Sequence, residues 1–187
     1  MCVYSSLINV LSPLELEARI GWHSRNNLAG VDVINFLDSD TSLAFVHPLY
    51  DEHTFAYGFM LVKLSSSSTQ SVVKLNNDPA VPAAGTPMTV MGRGNRKDIN
   101  EDPNAGPIHL GRPENQLDEA PLPYITKQEC DKVRTEDGWT YDDTVDESGM
   151  LCAGSDDYGA CEDDWGAPLV VPNADTSEHL LVGIFGW

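Results

Sequence analysis

A chain of 187 residues, 41% hydrophobic and 21% charged, can bury a core in one large domain or two small ones, which excludes wholesale disorder. Its 29 acidic residues against 11 basic ones give a formal net charge of -18. A surface of that sign repels phosphate backbones and excludes nucleic acid as a partner, while it attracts cationic partners or divalent cations.

No stretch is long and apolar enough to span a membrane, so no membrane partner is expected. The opening Met1 to Ser6 lacks a basic leader and an apolar signal core, which predicts no export signal in the chain as it stands. Helix-period stripes are scarce, and 15 glycines and 12 prolines punctuate short apolar runs, the pattern of an all-β protein.

In chain order, residues 16–23 read as a strand, followed by a turn at Ser24 to Asn27. Val31 to Phe36 and Ser42 to Val46 read as strands around a turn at Asp38 to Asp40, and Phe59 to Leu64 as another, closed by four serines. Thr86 to Met91 forms a strand ending at Gly92-Arg93-Gly94, and Asn95 to Pro113 a long loop. Pro121 to Thr126 is a strand, and Lys127 to Val133 a short helix around Cys130. Val170-Val171 and Leu180 to Phe185 flank a turn at Pro172 to Asp175. A polar, proline-rich stretch from Val72 to Pro87 divides two strand-rich halves, which suits paired barrels over 1–80 and 81–187.

Three segments say more. Phe45-Val46-His47-Pro48-Leu49-Tyr50-Asp51 followed by Phe59 to Leu64, Met150 to Gly154 leading into Cys161 to Val170, and Leu181 to Trp187 stand in an order that resembles the trypsin/chymotrypsin-like serine proteases. The resemblance implies a double six-stranded antiparallel β-barrel, lacking strands at both ends, and secretion. It implies a disulfide between Cys130 and Cys152, with Cys2 and Cys161 matching cysteines whose usual partners are not in this sequence. No cofactor or metal is expected, the four cysteines showing no CxxC pair and no Cys/His spacing suited to zinc. Acidic clusters agree: the Asn100, Asp102, Asn104 alternation lacks the glycine and closing glutamate of a calcium loop.

Carried over position by position, the family's nucleophilic serine falls on Trp165 and its triad aspartate on Gly58. Indole has no ionisable nucleophile, and glycine cannot orient an imidazole. Met1 falls in the histidine slot, and the five histidines are expected on surface loops. Asp163 replaces a glycine whose N–H lines the oxyanion hole, adding negative charge there. Asp164 matches the aspartate that pairs with the amino terminus released on zymogen cleavage. Without an aligned segment for that terminus, its carboxylate is expected to stay partly solvated or find another partner. The specificity pocket falls on Gly159, Ala160, Gly186 and Trp187, without an evident acidic base.

The expectation is a chain that is not an enzyme and acts on an unknown protein partner by binding, as a decoy, cofactor or inhibitor. Two alternatives stay open: a serine endopeptidase whose sequence carries errors, and a non-functional gene fragment.

Overall fold

The computed structural model describes residues 15–37, 43–53, 56–94, 116–133, 149–154, 160, 164–175 and 178–186. Eleven short strands and one helical turn run through them in the order β1 (Glu15–Ile20), β2 (Asp32–Leu37), β3 (Ala44–Val46), β4 (Met60–Val62), β5 (Lys74–Leu75), β6 (Thr89–Gly92), β7 (Asp118–Pro121), β8 (Tyr124–Ile125), α1 (Lys127–Cys130), β9 (Cys152–Ala153), β10 (Pro168–Val171) and β11 (Leu180–Ile184). The all-β expectation holds.

In the first half, β1 and β2 pair antiparallel with Ala18 opposite Ile34. Alternation turns both inward, at 5% and 6% exposure, while Val33 faces out. Glu17 and Arg19 share the outer face, two residues apart, and form an ion pair. β3 and β4 make a second pair, Phe45 opposite Leu61, both exposed.

The second half carries the larger core. β5, β11, β10, β6 and β7 lie side by side in that order. Met88, Val90, Leu122, Ala167 and Leu169 are buried together beneath them. A register shift between Leu169 and Val170 lets two consecutive residues turn inward, at 6% and 3% exposure. β5 lies within residues 1–80 yet pairs with β11, in parallel. Pro121 sits on edge strand β7, where its missing N–H costs no ladder bond to a further strand.

Thr126 opens α1 with a reciprocal capping box: its hydroxyl accepts from Glu129 N–H, and the Glu129 carboxylate accepts from Thr126 N–H at 3.1 Å. The Thr126 hydroxyl also donates to the Glu129 carboxylate at 2.7 Å, and this bond first, then that from Thr126 N–H, holds the Glu129 carboxyl below its ordinary pKa. The cap places Cys130 beside the end of β9, and the expected Cys130–Cys152 disulfide is present with Cα atoms 6.3 Å apart.

Asp32, at the start of β2, holds the loop of residues 65–70. Its carboxylate accepts from Ser68 Oγ at 2.7 Å and from Thr69 N–H at 2.5 Å. The Ser68 bond first, then the Thr69 backbone bond, lowers the Asp32 pKa. A folded value below the unfolded one gives stabilisation that is complete above about pH 4 and is lost as pH falls through the folded value. Asp32→Ala should therefore lower the Tm near neutral pH, with the gap to wild type closing in strong acid. Calorimetry at both pH extremes checks this; an equal gap at both would contradict it.

Candidate active-site face

The residues from Asp164 to Ala167 form a tight turn just before β10. Ala167 N–H donates to Asp164 O at 2.8 Å, closing the turn. Gly166 occupies its third position with φ +82°, which a residue with a Cβ adopts only under strain. Gly166 N–H donates to Phe185 O and Phe185 N–H to Ala167 O, both at 2.8 Å, so the turn is tied to the end of β11. Trp165 sits at the outer corner, and 49% of its surface is exposed.

Asp164 turns the other way. Its carboxylate is half-buried and accepts from Gly94 N–H at 2.6 Å. A Cβ on either Gly92 or Gly94 would overlap that carboxylate, so the backbone at the end of β6 must be glycine on both sides of Arg93. The expectation that Asp164 finds another partner is met by this seat.

Arg93, between the two glycines, reaches back to the first half. Its guanidinium donates to the carbonyl of Trp22 and, at 2.8 Å, to that of His23. It also lies over the Trp22 ring, 4.8 Å from the centroid, while Arg19 lies over the same ring at 4.4 Å. Burial, and then the charge of Arg25, push the Arg93 pKa below its ordinary value. An arginine starts high enough to stay charged. Leu117 N–H adds a further bond to His23 O at 2.9 Å.

Gly58 lies half-buried in the segment that leads into β4, just after Tyr57, whose φ is +54°. His47 is not the exposed loop residue expected: it is half-buried, stacked 4.7 Å from Tyr57 and tilted 4.8 Å from Phe59. Its Nδ1 accepts Leu49 N–H at 3.2 Å, which makes it a structural pin of the turn. His179 Nδ1 likewise accepts Asn173 N–H at 2.9 Å, while His53 is exposed and faces Asp51 at 3.6 Å. An open depression lined by Leu49 to His53 lies on this loop.

Of the four expected pocket residues, Ala160 and Gly186 are among the described residues. Ala160, half-buried, packs against the core cluster around Met88. Gly186 is exposed, with open space around its Cβ position. Gly159, Asp163 and Trp187 lie outside the described residues, as do Cys2, Cys161 and His109. Among the described residues, no group of His, Cys, Asp and Glu is arranged to hold a metal, and no helix is long and apolar enough to cross a membrane. The role of Arg93 was missed in the sequence; an arginine flanked by glycines was the available signal.

A family model described as Trypsin matches residues 2–187. Trypsin 5G1 of Aedes aegypti is 32% identical over 147 residues, 75% of this chain and 47% of that protein. Proproteinase E of Bos taurus is 30% identical over 166 residues, 84% of this chain and 57% of that protein. The chain thus spans about half the length of these relatives. Among solved structures, neuropsin, a serine protease expressed in the limbic system of mouse brain, superposes with a TM-score of 0.67 at 24% identity, covering 94% of this chain and 68% of that one. That likeness shows the trypsin-like fold. The expectation that the chain is not an enzyme is overturned here, since the matching model and the relatives are those of serine proteases. The chain belongs to the trypsin family of serine proteases.

Proposed function

We propose that the chain binds an extended polypeptide at the face carrying Trp165, polypeptide binding being the step that precedes peptide-bond hydrolysis in this family. One observation carries the reading: a large aromatic side chain, 49% exposed, held at the corner of a turn with three backbone bonds of 2.8 Å. Exposed tryptophan on a rigid support is the residue type that dominates binding energy at protein interfaces, because it buries much area with little loss of rotamer freedom.

In this reading Trp165 stands where the family's serine stands, Gly58 at its aspartate, and Asp163 where a glycine would serve the oxyanion hole. An acyl intermediate cannot form on an indole, so residue 165 contributes contact area rather than a nucleophile. The net charge of -18 favours a basic polypeptide. The Cys130–Cys152 disulfide supports an oxidising compartment, on the secretory route or outside the cell.

The test is selection of a displayed random dodecapeptide library on the wild-type chain, with counter-selection on Trp165→Ala. Lys- and Arg-rich peptides retained by the wild type alone, and released by salt, are the expected result. Peptides held equally by both proteins, or none at all, would sink the reading. Cleavage of fluorescent casein by the same preparation reads turnover separately from binding.

A further inference from the structure

We propose that Arg93 is the positioning residue for Trp165: it fixes the exposed indole by pinning the Gly92–Gly94 backbone to the carbonyls of Trp22 and His23. The inference rests on the reading of Trp165 as a contact residue. Its own test is made on the free protein, so the two fail separately.

The chain of contacts is short. Trp165 follows Asp164, and the Asp164 carboxylate lies on the backbone of residues 92–94, bonded to Gly94 N–H at 2.6 Å with no room for a Cβ at either glycine. Wherever that backbone goes, the corner of the turn follows. Yet glycines are the least restrained of residues, and Gly92 is the last residue of β6 to pair with β7. The segment therefore needs an outside tether.

Arg93 supplies it. Its guanidinium bonds two successive carbonyls, of Trp22 and His23, and stacks on the Trp22 ring. The Trp22 Nε1 is buried and has no hydrogen-bond partner among the described residues, so its ring is held by the two guanidinium faces of Arg19 and Arg93 instead of by its own polar atom. A planar fork that donates and stacks at once is specific to arginine; lysine offers a point charge that cannot do both.

The chain has four tryptophans, so labelling with 5-fluorotryptophan gives four 19F resonances, and Trp165→Phe assigns the one of interest. In Arg93→Lys, which keeps the charge, the Trp165 resonance is expected to broaden and move towards its value in the unfolded chain. Acrylamide should reach Trp165 more readily. Any selected peptide should bind about fivefold more weakly, the ordering cost of one large side chain. The far-UV circular dichroism and the urea midpoint should stay close to those of the wild type, which separates a positioning role from general unfolding. A Trp165 resonance unchanged in Arg93→Lys, while that of Trp22 moves, would overturn the proposal. Trp22→Phe gives a second reading: the smaller ring keeps the two carbonyls, so Trp165 should shift less than in Arg93→Lys, and an equal or larger shift would place the tether in the ring instead.

Discussion

Gly94→Ala is expected to destabilise the fold by about 2–3 kcal/mol, the cost of forcing a methyl into a filled site together with loss of a charge-assisted bond. The new Cβ would meet the Asp164 carboxylate, which would have to leave the Gly94 N–H it now holds at 2.6 Å. Neither partner can give way cheaply. The Gly94 backbone continues from β6, and Asp164 opens a turn closed on Ala167 and tied to Phe185. Because the clash is with one side chain, Asp164→Ala should relieve it, so the double variant should cost clearly less than the sum of the two single ones. Urea denaturation of the four proteins checks this. Additive losses, or an effect of Gly94→Ala within about 0.5 kcal/mol, would show that the carboxylate does not occupy that seat.

The second large effect is expected from the disulfide. Cys130 and Cys152 are 22 positions apart, and opening that loop costs about 3 kcal/mol in the chain-entropy description. Cys130 is also only 3% exposed, so a serine there would bury a hydroxyl that needs a new partner. The Cys130→Ser, Cys152→Ser double variant should melt about 6–12 °C below the wild type, given the entropy of unfolding of a domain this size. The wild type in a strong reductant should melt close to the variant. A reductant-insensitive Tm in the wild type would contradict the pairing.

Much of the fold was legible in the sequence because several strands are compact apolar runs. β1, β2, β3, β4, β6, β8, β10 and β11 each lie within or against a predicted strand, and the short helix read over Lys127 to Val133 is present as the single turn Lys127–Cys130. β5 and β9, of two residues each, were missed. Lys74-Leu75 and Cys152-Ala153 have too little sequence to show a period, and only pairing with β11 and β8 makes them strands. The strand read over Pro121 to Thr126 contains β8 and only the last residue of β7; β7 itself, Asp118–Pro121, went unread because Asp, Glu, Ala and Pro have poor strand propensity and are held by β6 alone.

The candidate site was legible as a set of positions and less so as contacts. The segments around Gly58 and Trp165 were found from their order along the chain, and the Cys130–Cys152 pairing came with them. The partner of Asp164 could not be read, because its bond is to a backbone N–H 70 residues away, a contact with no side-chain signature. His47 was misplaced for a similar reason: its His-Pro setting reads as a surface turn, but Tyr57 and Phe59 close over its ring from the next segment. The step from family to chemistry was also drawn too far, since residue losses at two positions led to a chain that is not an enzyme, whereas the matching model and relatives class it with the serine proteases.

The most direct test of Trp165 as the contact residue is a titration of a selected peptide against the wild type and Trp165→Ala, read by calorimetry at equal salt. The account predicts at least about 30-fold weaker binding by the variant, corresponding to the 2 kcal/mol or more of an interface hot spot. Equal affinity of the two proteins, with both folded, would contradict it.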